Sequence, residues 1–226
     1  LKFSQNFFSK RNEIEIQSVT YGLNLFIPTF ILILSSLFEN YELTAELGII
    51  IGINIIFTQI FSSNARSLII SKKSKIPIQS FILFRILITF LILLINLLII
   101  YYYKFIYTYL LFQFSILIVI QWLNELILTY FEIKKKIRET YLYLYFEIIF
   151  LICSFTSLLF FQDLLYILVI FNSFLFLFFC NNYYKIVKNI IIKINNIKLI
   201  KLSLSSLSSK SSTSIILFSI VGTTKA

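Results

Sequence analysis

Apolar residues fall in long unbroken runs, and most of the charged residues are confined to short clusters between them. Six runs, at residues 19–38, 47–61 with its flanks, 77–103, 106–130, 141–161 and 164–183, match the roughly 20 residues an α-helix needs to cross a ~30 Å hydrocarbon core. A seventh apolar stretch begins near residue 202. A transmembrane barrel would instead show ~10-residue segments of alternating polarity. The pattern predicts an all-α, polytopic transmembrane helix bundle of six spans plus a partial or complete seventh. It divides the chain into an N-terminal segment, 1–18, cytoplasmic or interfacial; a six-helix bundle, 19–184; a basic amphipathic linker, 185–201; and a seventh span, 202–226, that is truncated.

The stretch 45–75 organises the rest. At about 100° per residue, Gly48, Gly52, Gln59, Ser62, Ser63 and Arg66 share one helical face, and the opposite face is mostly Ile, Phe and Leu. One face therefore suits lipid or packed protein, and the other something small, polar or wet. Lys72, Lys73 and Lys75 follow directly. Gly48 and Gly52 form a GxxxG pattern, which permits close helix approach within the subunit or between subunits.

Other polar residues interrupt the spans. Asn24 lies one turn before Pro28, which frees a carbonyl and allows a kink; Asn24 then bonds a neighbouring helix or borders a polar cavity. Arg85 lies two turns into the third span and either snorkels to the interface or is buried at a cost. Gln121, Asn124 and Glu125 share a face of the fourth span. Glu125 and Glu147 are the carboxylates well inside spans. They read as ion-pair partners of Arg66, Arg85 or loop lysines, as ion-coupling groups, or as an acid and base. Ten Ser or Thr residues between Ser203 and Ser219, with Lys210 among them, suit a cavity-lining helix or a soluble tail. Ile186, Ile190, Ile194 and Ile197 recur at helical spacing among lysines, as in a helix lying on the inner leaflet.

Composition agrees with the pattern. The 226-residue chain is 59% hydrophobic and 13% charged, where a soluble domain is nearer half apolar and a quarter charged. Its mean hydropathy is +0.92. The net charge of +10 does not indicate nucleic acid, because the bases sit in short connections and offer no continuous surface for phosphates. Of the 20 Lys and Arg, 17 fall on one side of the threading, with Lys104 opposite. The positive-inside rule then puts the N-terminus and this basic side in the cytoplasm. Cys153 and Cys180 read as small apolar residues, and with no His in the chain no metal site is expected. The absence of Met, Leu1 at the start and an apolar run near Ala226 lead to the expectation of a fragment or of an unusual gene start.

No nucleophile elbow, phosphate-cradling glycine loop or zinc spacing occurs, so no catalytic residue, enzyme activity or cofactor is expected. Three segments carry a family likeness. YELTAELGIIIGI (41–53), SNARSLIISKK (63–73) and IKLIKLSLSSLSS (197–209), with six spans, a basic linker and a new polar span, resemble the first half of the polysaccharide (O-antigen type) flippases of the multidrug/oligosaccharidyl-lipid/polysaccharide exporter superfamily. The resemblance implies a bacterial inner-membrane carrier, monomeric when full length. Its two six-helix lobes would flip an undecaprenyl-pyrophosphate-linked oligosaccharide by alternating access. Arg66 and Arg85 would face the pyrophosphate, and Asn24, Gln59, Ser62 and Lys210 the sugars or head group. Partners would be membrane lipids and that substrate. Two other functions are compatible with such spans: a membrane polymerase or glycosyltransferase of the same pathway, disfavoured by the short outer loops, and a non-transporting permease subunit.

Overall fold

A computed structural model describes residues 2–38, 41–62, 65–71, 77–160 and 164–187, with side chains from residue 15 to 186 apart from 158–160. These residues form α1 (Lys2–Leu37), α2 (Tyr41–Phe61), α3 (Ala65–Ile70), α4 (Ile78–Tyr103), α5 (Thr108–Lys134), α6 (Ile137–Phe160) and α7 (Leu165–Val187). Six helical segments are long and apolar enough to cross a membrane, with Tyr41–Ile70 counted as one crossing. The described residues contain no strand. Lys210, the seventh stretch and most of the linker lie outside the described residues.

Helix α5 occupies the centre. It packs against every other helix, and 72% of its apolar window is buried, against 28–39% for the other five. Around it run α1, α2, α4, α7 and α6. The ring closes where Gln79 Nε2 of α4 donates to the Ile186 carbonyl of α7 at 3.4 Å. A helix enclosed on all sides is normally apolar all round. This one buries Ser115, Gln121, Asn124 and Thr129 along with its Leu and Ile, so polar groups lie at the middle of the bundle.

Lipid tails are as apolar as Leu, so packing and interhelical hydrogen bonds must hold such a bundle together. The α6–α7 seam is aromatic, with Phe146 on Phe174 (centroids 3.6 Å apart) and Phe150 on Phe171 (3.9 Å). Elsewhere buried amides join the helices. Asn96 Nδ2 of α4 donates to Asn54 Oδ1 of α2 at 3.0 Å. Asn172 Nδ2 of α7 donates to the Gln113 side chain and carbonyl of α5 at 3.0 and 2.8 Å. Each such bond contributes about 0.6 kcal/mol on average. At the opposite end from the basic loops, the Glu46 carboxylate accepts from the Ile106 and Tyr107 amides at 2.9 and 3.2 Å, just ahead of α5.

Turns set the antiparallel register. Lys135 adopts φ 52°, ψ 40°, and the Lys135 and Lys136 amides donate back to the Glu132 and Phe131 carbonyls. That is a left-handed helix stop of the kind usually given to Gly. It folds α6 back along α5 after two residues.

Several sequence expectations change. Helix α1 is one piece from Lys2, so residues 2–18 are helical and continuous with the first span, whose apolar crossing segment is Glu15–Leu37. Helix α4 begins at Ile78 and not at 77, with Pro77 at its N-cap. Helices α5 and α6 extend to Lys134 and from Ile137, farther into the basic loop than 130 and 141. Ile186 belongs to the core of α7 and not to a surface linker. The helical face read from Gly48 to Arg66 is shared by two helices, α2 ending at Phe61 and α3 beginning at Ala65. Ser62 Oγ donates to the Gln59 carbonyl at 3.1 Å, a local bond by which Ser competes with helix propagation. The small, polar face of α2 is not its buried face: Leu43, Leu47, Ile50, Ile51 and Asn54 are buried, and Gln59 is exposed. A Cβ on Gly48 would meet only Leu32 Cδ1 at 4.0 Å, so no close backbone approach depends on that glycine.

Candidate functional site

Helix α3 packs against α5. This brings Ser62, Arg66, Ser67 and Ser71 opposite Arg85 of α4 and Glu125 of α5, around a pocket of about 470 Å3. Arg85 follows the start of α4 by seven residues and Glu125 precedes the end of α5 by nine. At 1.5 Å per residue both sit about 10–14 Å in from the basic end. The antiparallel register therefore makes them neighbours.

Arg85 does not snorkel. Its side chain is 2% exposed, and Nη1 lies 2.8 Å from Glu125 Oε2 and also donates to the Trp122 carbonyl. The guanidinium stands 4.6 Å from the Trp122 ring centroid. Its Nε and Nη2 are buried with no hydrogen-bond partner among the described residues. Arg66 Nη2 lies 3.3 Å from Glu132 Oε2, and its guanidinium is 3.5 Å from the Tyr21 ring centroid. Arg66 Nε likewise has no partner among the described residues. Burying such donors costs about 1–3 kcal/mol each, and more when they are charged. A ligand rich in oxygen acceptors would satisfy them.

Beside this pocket runs a buried polar seam. Asn24 Nδ2 donates to the Gln121 carbonyl at 3.3 Å, and Asn24 Oδ1 accepts from the Tyr143 hydroxyl at 3.1 Å. One turn beyond Tyr143, Glu147 is fully buried, and neither carboxylate oxygen has a hydrogen-bond partner among the described residues. Thr140, Tyr143, Glu147, Ser154 and Ser157 make the buried stripe of α6 mostly polar. Tyr21 links seam and pocket: its hydroxyl is 3.0 Å from Thr129 Oγ1 and donates to the Glu125 carbonyl at 3.3 Å.

The structure thus gathers Ser62, Arg66, Arg85 and Glu125 in one pocket. Asn24 and Glu147 lie in the neighbouring seam, and Gln59 is exposed, apart from both. Lys210 is outside the described residues. Glu132, Tyr21 and Trp122 were missed in the sequence reading. Glu132 follows Glu125 at i+7 and was legible as the same helical face; Tyr21 gave no signal, because only packing places it under Arg66. Among the described residues no group of three or more His, Cys, Asp and Glu residues is placed to hold a metal.

Among the described residues these features define an all-helical fold with six helices long and apolar enough to cross a membrane, carrying a charged pocket near one end of the bundle. No family model, no curated protein and no solved structure matches the chain.

Proposed function

We propose that this chain is part of a carrier that moves an anionic lipid-linked oligosaccharide across the bacterial cytoplasmic membrane by alternating access. It is read as a carrier and not an enzyme, monomeric when complete. The observation that carries the reading is the convergence of two arginines on one pocket, with three buried guanidinium nitrogens unmatched among the described residues. Planar guanidinium forks suit phosphate oxygens, and Ser62, Ser67 and Ser71 add hydroxyls for a sugar or head group. A volume of about 470 Å3 falls within the roughly 300–1,000 Å3 of small-molecule sites. It suits a pyrophosphate with part of its first sugar, and leaves the polyprenyl tail in lipid.

Bases in the connections α3–α4 and α5–α6, against Lys104 alone between α4 and α5, favour a cytoplasmic N-terminus and a pocket opening toward the cytoplasm. Loading from inside requires that placement. By the resemblance, the Ser-rich stretch from 202 would begin a second lobe. Glu147, buried and unmatched among the described residues, is the group best placed to couple substrate movement to an ion.

The test is Arg66→Ala and Arg66→Lys in cells, with surface polysaccharide measured at equal membrane protein levels. A loss with Ala, partly restored by Lys, is expected. Unchanged export in Arg66→Ala would remove the arginine pocket from the mechanism.

A further inference from the structure

Two arginines would make this pocket a strong trap for any anion, yet the protein neutralises both. Helix α5 presents Glu125 and Glu132 seven residues apart on one face. Glu125 holds Arg85 at 2.8 Å, and Glu132 holds Arg66 at 3.3 Å. Thr129, between them, bonds the Glu125 carbonyl at 2.8 Å and contacts the hydroxyl of Tyr21, whose ring lies against the Arg66 guanidinium. Both carboxylates therefore stand on the most enclosed helix of the bundle, fixed relative to their arginines.

Resting on the anion-binding reading above, we infer that Glu125 and Glu132 are the charge filter of the pocket. They admit ligands carrying two or more adjacent negative charges, such as a diphosphate ester, and reject monoanions. The four side chains sum to zero charge, so within the pocket an entering anion meets no excess of positive charge. A monoanion brings only the charge of the carboxylate it would displace. It must also give up its translational freedom, which the tethered glutamate does not. A diphosphate carries more charge than either glutamate. Placed in the pocket that both arginines line, it can bridge the two guanidiniums at once, which neither glutamate does. The filter thus depends on carboxylates that hold the arginines without saturating them.

Trp122 supplies the readout. It is the only Trp in the chain, and the Arg85 guanidinium lies over its ring. The purified full chain in lipid nanodiscs is titrated with inorganic pyrophosphate, inorganic phosphate and acetate while Trp122 emission is followed. In the wild type, pyrophosphate is expected to give a saturable change, phosphate a weaker one and acetate none. Glu125→Gln should tighten phosphate binding by about tenfold, the scale of one charge-assisted contact, and make acetate binding detectable. Glu132→Gln should shift selectivity the same way by less, because its pair is more exposed; it also leaves the buried Arg85 pair intact, so it reports even if Glu125→Gln does not fold. If both variants bind pyrophosphate more weakly and still reject acetate, the glutamates only brace the arginines. The filter is then overturned while the anion site stands. If no anion alters Trp122 in any of the proteins, the filter and the anion site fail together.

Discussion

Arg85 Nη1 and Glu125 Oε2 meet 2.8 Å apart on adjacent helices, with the arginine side chain 2% exposed and the glutamate 28%. The pair is one-sided: both side chains line the pocket, but the cation is almost wholly enclosed by protein and the carboxylate is partly open. Removing one partner of a buried pair leaves an uncompensated charge and costs about 3–5 kcal/mol, whereas replacing both by apolar residues is often neutral. Arg85→Leu is expected to lose less stability when combined with Glu125→Leu than the sum of the two single changes. Thermal unfolding of the four proteins checks this. Additive losses would mean that the two side chains are not paired in the membrane.

Glu147 should behave in the opposite way. With neither oxygen bonded among the described residues, the carboxylate is a burden on the fold. Glu147→Gln is therefore expected to keep or raise thermal stability, by up to about 1–3 kcal/mol. In transport assays it is expected to remove any dependence on an ion gradient. A marked drop in stability would show that the carboxylate has a structural partner.

Asn54 and Asn96 join α2 to α4 at 3.0 Å, both fully buried. Asn96→Leu should cost about 0.6–1.7 kcal/mol, and Asn54→Leu a similar amount; a double-mutant cycle should return a coupling of that order. Coupling near zero would indicate that the bond does not form in lipid.

Threading is tested by labelling. With Cys153 and Cys180 replaced by Ser, single cysteines at Lys135 and Lys104 should react with an impermeant maleimide from opposite sides of the membrane. Lys135 is expected to be the cytoplasmic one. Reaction of both from the same side would overturn the six-crossing topology and the transporter proposal with it.

Much of this architecture was legible in the chain itself. Run length and the near absence of charge within runs determine six crossings, because backbone polar groups in hydrocarbon must be satisfied within the helix. Helical spacing also marked Arg66, Arg85, Glu125 and Glu147 as exceptional, since charge in a span is costly wherever the span packs. What periodicity did not reveal was which face looks inward. The small, polar face of α2 was expected to border the interior, yet Gln59 is exposed and the Leu43–Asn54 side is buried. In lipid an apolar face is content outside or inside, so hydrophobicity alone does not orient a helix.

Only tertiary structure placed α5 at the centre and turned Arg66 toward Tyr21 and Glu132. Each follows from long-range packing and the meeting of side chains 40 to more than 100 positions apart, as for Arg85 with Glu125 and Tyr21 with Thr129. The sequence by itself determined which segments are greasy enough to cross and which side chains pay for being there. The packed helices decided which of those side chains meet, because a contact between distant residues depends on register and crossing geometry that no local pattern encodes.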